Sequence, residues 1–437
     1  MIAASGISRQ PRWRDALADA LAQMPGVHTQ QAAGRDAAVD LCFLFASHAY
    51  AEDFGVLLAD AADATGARCI VGCSGQGIIG AEREIEGDPA LALLALRLPG
   101  ADVRPVRITQ ADLERRQGPD DWRSFTGVPP ERANAWFLFA DPFTLDAEAL
   151  LVALSQAYPK TPLIGGMASG DARHRRTHVF LNRQVYESGG VALAMGGAYG
   201  LRTVVSQGCM PIGRPWTITG ADGQLLQTIA RRPAYEVLVD TLKTLPPEVQ
   251  DRARGNLFVG LAMDEYREEL GRGDFLIRNI VGVDLNSGAL AVSALPRVGQ
   301  TMQFQIRDRA TADQDLNELL AAAATSAGQP VAALLCSCNG RGIGLFGAPH
   351  HDAGVLARRL GPLPVAGFFC NGEIGPVGSR NFLHGFTASI ALIVPTQAQE
   401  ITLRLALEEA APADAPPAEG SPPPEGESPP GEAPPGA

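Results

Sequence analysis

Apolar and polar positions along this chain fall into a block that recurs. Leu41-Cys42-Phe43-Leu44-Phe45 has no polar break and the length of a buried strand. Phe54, Leu57, Leu58, Ala61 and Ala62 follow at helical spacing. Ile70-Val71-Gly72-Cys73-Ser74-Gly75-Gln76-Gly77 reads as a strand entering a glycine-rich turn, and Leu91–Leu98 as a closing strand. The order then returns. Trp136-Phe137-Leu138-Phe139 is a strand, Ala149, Leu150, Ala153 and Leu154 mark a helix, Leu163–Gly170 is a strand and turn, and Val191–Met195 closes the unit. A looser third copy has strand Ala332–Cys336, helical positions Val355, Leu356 and Leu360, strand and turn Val365–Gly372, and closing strand Thr387–Val394.

Each copy carries Gly-x4-Gly at the same point: Gly72 and Gly77, Gly165 and Gly170, Gly367 and Gly372. Glycine there permits a positive φ, or lets a backbone or a ligand come close. Hairpin-like strand pairs after each turn argue against a purely parallel sheet. The predicted class is therefore α/β, with mixed sheets built from repeated strand–helix–strand–strand units. Trp13, Ala16, Leu17, Ala20, Leu21 and Met24 predict an N-terminal helix, Tyr235–Leu245 another stopped by Pro246-Pro247, and Leu316–Ala324 a third. Leu257–Ala262, Phe275–Val283, Ala289–Ser293 and Thr301–Ile306 read as strands. The expected organisation is an N-terminal helix in 1–34, two units in 35–230, the third in 231–397, and a tail at 398–437.

Composition narrows the picture. Among 437 residues, 46% apolar and 19% charged positions are enough for a large core. From 411 to 437, ten of 27 residues are proline, with five acidic and no basic side chains, so a disordered extension is expected. A net charge of −12 argues against nucleic acid as a partner. The apolar run Ala90–Leu96 stops at Arg97, short of a membrane span, and Met1–Arg14 has no signal-peptide core, so no membrane partner is expected. Seven cysteines on apolar segments fit the reducing cytoplasm.

Common catalytic signatures fail. Gly77 is followed by Ile78-Ile79 where an ATP-binding P-loop needs Lys and then Ser or Thr, and Gln76 stands where a nucleophile elbow needs glycine. Cys336 and Cys338 share a strand face, yet no further ligands stand at a metal-binding spacing, so these residues are expected to bind no metal. Arg173-His174-Arg175-Arg176 reads as a solvated hairpin face. The third unit is richer. Arg341 lies among glycines in Asn339-Gly340-Arg341-Gly342, Asn371-Gly372-Glu373 follows the next strand, and His384 opens the last. Arg341, Asn371, Glu373 and His384 thus stand at strand ends, where α/β folds place binding sites. One reading is a pocket for a small zwitterion, with Arg341 taking the carboxylate, Glu373 the ammonium, and Asn371 and the Gly372 amide fixing orientation. The other is a structural ion pair between Arg341 and Glu373.

Gly72-Cys73-Ser74-x-x-Gly77, Cys338-Asn339-Gly340-Arg341-Gly342, Gly367-Phe368-Phe369-x-Asn371-Gly372-Glu373-Ile374-Gly375-Pro376 and His384-Gly385-Phe386-Thr387 together resemble the FIST sensory proteins. The resemblance spans a FIST N region at about 35–230 and a FIST C region at about 231–395. It implies an intracellular module for small ligands such as amino acids or their derivatives, signalling through a separate protein partner. The expected ligand-binding set is Arg341, Asn371, Gly372, Glu373, His384, Ser74 and Gly77, with no catalytic residue, metal or cofactor. Two other classes stay open: an enzyme using Cys73, Ser74 or Glu373 on a small metabolite, and a protein-interaction scaffold.

Overall fold

A computed structural model describes residues 3–27, 38–171, 173–267 and 269–396. The expected disordered tail lies outside them. Each repeat unit forms the same elements in the same order. In unit one these are a leading strand Leu41–Ser47, a helix Phe54–Thr65, a second strand Ile70–Gly75, a hairpin of Gly77–Gly80 and Arg83–Glu86, and a closing strand Leu91–Leu96. Unit two has Ala135–Ala140, Ala147–Ala157, Leu163–Met167, the hairpin Val179–Leu181 with Gln184–Tyr186, and Gly190–Gly197. Unit three has Ala332–Cys338, His351–Leu360, Val365–Cys370, the hairpin Glu373–Val377 with Arg380–His384, and Ala388–Pro395. In all three, the leading strand pairs parallel with the second and antiparallel with the closing strand.

The hairpins leave their own units. Ile78–Gly80 of unit one pairs with Phe368–Ala366 of unit three. Val179–Leu181 of unit two pairs with Cys73–Val71 of unit one. Glu373 and Ile374 of unit three pair with Gly166 and Gly165 of unit two. The exchange is cyclic and yields three six-stranded sheets. Unit two's sheet gains Ala101–Ile108 at its edge, unit three's gains Tyr199–Ser206, and unit one's gains Ala3–Ser8, a strand absent from the sequence reading. Sheet pairing therefore crosses the expected boundary near residue 230.

One face of every sheet meets a common interior. Phe43 and Phe137 approach at 5.0 Å, Phe45 and Phe139 at 5.4 Å, and Phe45 stacks on Phe368 at 5.0 Å. Cys73, Cys336 and Cys370 join this cluster. The opposite faces are covered by helices, each unit's own together with Trp13–Ala22 over unit one and Arg309–Ala324 over unit three. Burial on both faces explains the unbroken apolar runs of the leading strands. The first glycine of each Gly-x4-Gly serves close strand contact. A Cβ on Gly72, Gly165 or Gly367 would stand 1.8, 2.0 or 1.9 Å from the carbonyl oxygen of Leu44, Leu138 or Leu335.

Between units two and three lies a seven-stranded antiparallel sheet, from Met210–Asp222 to Thr301–Ile306, backed by helices Ala234–Lys243 and Pro247–Ala253. Helix Arg309–Ala324, capped by Asp308 through the Thr311 amide, leads back into unit three. The inserted sheet brings Arg307 and the Cys209–Phe258–Phe275 cluster against unit three's strand ends.

Candidate functional site

Unit three's leading strand ends at Cys338, where the chain turns sharply. The Arg341 amide donates to the Cys338 carbonyl at 2.8 Å. Gly342 follows at φ +61°, where a Cβ would stand 2.4 Å from the Glu86 carboxylate. This turn drives Arg341 inward to complete burial. Its Nε and Nη2 donate to Oδ2 and Oδ1 of Asp352 at 2.7 and 2.8 Å. Asp352 is also buried and accepts from Ser337 Oγ at 2.8 Å. Burial opposes ionisation of Asp352, but the Arg341 guanidinium outweighs it and holds the carboxyl well below the usual range. Of the two roles the sequence leaves open for Arg341, the ion pair with Glu373 is not formed: its carboxylate partner is Asp352, which helix His351–Leu360 presents in its first turn.

Glu373 is fully buried at the start of its hairpin. Its Oε2 accepts from the Thr387 amide at 3.0 Å, its Oε1 meets no N–H or O–H donor, and the weak S–H donor of Cys338 lies beside the carboxyl. Burial pushes the carboxyl up to about 8, against the Thr387 amide, the Cys338 thiol and the nearby charges of Arg341 and Arg307. Arg307, nearly buried, donates from Nη2 to the Gly340 carbonyl at 2.9 Å and lies 4.7 Å over the Phe386 ring. Arg307 Nε and Arg341 Nη1 also lack partners. Two cationic donors and one carboxyl oxygen thus stand unsatisfied on three residues close enough to feel one another's charge, and each unpaired buried polar atom costs about 1–3 kcal/mol. In the flanking segments Cys338, Asn339 and Phe386 are half-buried, and Gly340 and Asn371 are exposed. Burial pushes the Cys338 thiol up to about 12.

The other expected residues have different tasks. Asn371 is exposed; its Oδ1 accepts from Asn339 Nδ2 at 2.8 Å and its Nδ2 donates to the Ala168 carbonyl at 3.0 Å. Gly372 accepts from the Met167 amide at 2.8 Å, a joint to unit two. His384 is buried, and its Nε2–H donates to the Gly375 carbonyl at 3.0 Å. Burial pushes its pKa down to about 4, so it is neutral with Nδ1 unpartnered. Ser74, fully buried, donates to the Ser169 carbonyl at 2.8 Å and accepts from the His178 amide at 3.0 Å. Gly77 leaves room for Phe369, whose Cδ2 would stand 2.6 Å from a Cβ. Ser74 and Gly77 are therefore spent on the joint between units. The sequence reading missed Arg307 and Asp352; the position of Arg307 just after strand Thr301–Ile306 was the available signal.

The FIST N domain family matches residues 40–232, and the FIST C domain family matches 234–376. The chain belongs to the FIST family. FIST domains are sensory, ligand-binding domains. An uncharacterized protein of Mycobacterium tuberculosis strain H37Rv is 37% identical over 392 residues, covering 89% of this chain and 98% of the relative. One from Mycobacterium bovis is 36% identical over the same length and coverage. Among solved structures, a cyanuric acid hydrolase from A. caulinodans aligns at TM-score 0.34 and 11% identity, covering 91% of this FIST chain and 99% of the hydrolase. Among the described residues of the FIST protein, no helix is long and apolar enough to cross a membrane.

Proposed function

We propose that this FIST protein is a cytoplasmic sensor that binds a small zwitterion, an amino acid or derivative, and signals through a separate protein partner. The observation that carries the reading is the trio of unpartnered buried atoms: Glu373 Oε1, Arg341 Nη1 and Arg307 Nε. A ligand carboxylate complements the two guanidinium donors, and an ammonium complements Glu373. Ammonium binding draws the Glu373 carboxyl down from about 8, so uptake near neutral pH releases a proton. Arg341, its fork held by Asp352, offers the ligand Nη1, and Arg307, its Nη2 held by the Gly340 carbonyl, offers Nε. A protonated Cys338 favours binding over thiolate catalysis at this place. Calorimetry with a panel of amino acids, in two buffers of different ionisation enthalpy, tests the reading. Wild type should bind a panel member with proton release, and Glu373→Gln should bind it at least about tenfold more weakly with no release. Absence of binding across the panel contradicts the zwitterion assignment.

A further inference from the structure

A second recess lies where the inserted sheet meets unit three's hairpin. Its volume is about 400 Å³, within the range of small-molecule sites. Three arginines line it: Arg278 and Arg297 from the sheet side and Arg380 from the hairpin. One carboxylate, Glu148 of unit two's helix, faces them. Arg278 is held rigidly, with its side chain 11% exposed. Its Nη2 donates to Glu148 Oε1 at 2.9 Å and to the Leu383 carbonyl at 3.2 Å, and its Nη1 to the Ile277 carbonyl at 3.1 Å. Arg380 donates to the Met263 carbonyl at 3.3 Å and sits 5.4 Å over the Phe382 ring. Among the described residues, neither Arg297 nor Arg380 has an acidic partner.

The recess therefore holds a surplus of guanidinium charge beside apolar surface from Phe382 and Leu295. A guanidinium surplus in a concave site selects carboxylate or phosphate, because planar N–H pairs match their oxygens. An adjoining aromatic ring favours a flat apolar body on the same ligand. We infer that this recess is a second binding site, for a small organic anion bearing a carboxylate or phosphate head and an aromatic or apolar body. Arg297 and Arg380 would take the head. Glu148 competes with the ligand for Arg278 and sets a limit on affinity.

Calorimetry with phenyl phosphate, and with inorganic phosphate as the head alone, tests this site. Wild type should bind phenyl phosphate more tightly than inorganic phosphate. The double variant Arg297→Ala with Arg380→Ala changes two exposed side chains, so it should fold normally by circular dichroism and lose about tenfold or more in affinity. Glu148→Gln should tighten binding several-fold by removing the competing charge, and Glu373→Gln should leave it unchanged. Failure of wild type to bind phenyl phosphate would overturn the inference. So would wild-type affinity in the double arginine variant, or weaker binding in Glu148→Gln. None of these results bears on zwitterion binding at Glu373, which that variant tests separately.

Discussion

Arg341 closes both Nε and Nη2 on the carboxylate of Asp352, at 2.7 and 2.8 Å, with the two side chains 0% and 1% exposed. A pair this deep is costly to half-remove, because the survivor keeps its charge without water or a partner. Asp352→Ala is expected to cost about 3–5 kcal/mol in urea denaturation. Replacing both residues, Arg341→Met with Asp352→Leu, should recover most of that loss. The Asp352 carboxyl is depressed, so its stabilisation is fully present above its unfolded value of about 3.9 and lost as pH falls through the lower folded value. The Asp352→Ala penalty should accordingly shrink in strong acid.

Glu373 has the opposite sign. Its folded pKa is raised to about 8, so the stability it contributes is fully present below the unfolded value of about 4.3 and lost as pH rises through about 8. Glu373→Gln keeps the shape of the protonated acid. Melting temperatures across pH should show this variant more stable than wild type at about pH 9, the difference vanishing below about pH 4. Glu84, pushed up to about 7 chiefly by burial, titrates in the same window, so the variant flattens the decline without abolishing it. A variant less stable than wild type at about pH 9 would show that Glu373 is ionised as a structural partner.

The unit glycines make a steric prediction. Gly72→Ala, Gly165→Ala and Gly367→Ala each put a Cβ within 2.0 Å of a backbone oxygen on the neighbouring strand. Each should destabilise by at least the ~1–3 kcal/mol typical of overpacking. Gly344, in helix Gly342–Phe346 with no atom within 4 Å of an added Cβ, is the control. Gly344→Ala should be neutral or stabilising by up to ~1 kcal/mol, read in the same denaturation assay.

Thiol accessibility reports on the junction. Cys338 is half-buried and the other six cysteines are buried. Native labelling should modify Cys338 first, and slowly at neutral pH, because its thiol is pushed up to about 12. Mass mapping of the labelled peptide checks the order, and a bound zwitterion should slow the reaction further.

The sequence made the units legible because each strand is buried on both faces. Phe43, Phe45, Phe137 and Phe139 then stand in unbroken apolar runs. Ala3–Ser8 has no such run; a polar and small-residue segment, it gains its place by pairing with Leu91–Leu96. The hairpins after Gly77, Gly170 and Gly372 were readable as local pairs. Their exchange was not, since the partner strand lies up to 290 positions away, as the paired Ile78 and Phe368 show. At the site, glycines around Arg341 marked a turn that aims the side chain inward. They carried no information on which acid it meets, because Asp352 arrives on a separate helix. Arg307 directly follows the inserted sheet's strand Thr301–Ile306, and only tertiary packing sets it beside Glu373.

Native mass spectrometry of the protein purified from its own host tests the central assignment most directly. Wild type and Arg380→Ala should retain a small molecule of amino-acid-like mass, and Glu373→Gln should be bare or strongly depleted. The same adduct on wild type and Glu373→Gln, or none on either, would contradict a ligand site built on Glu373.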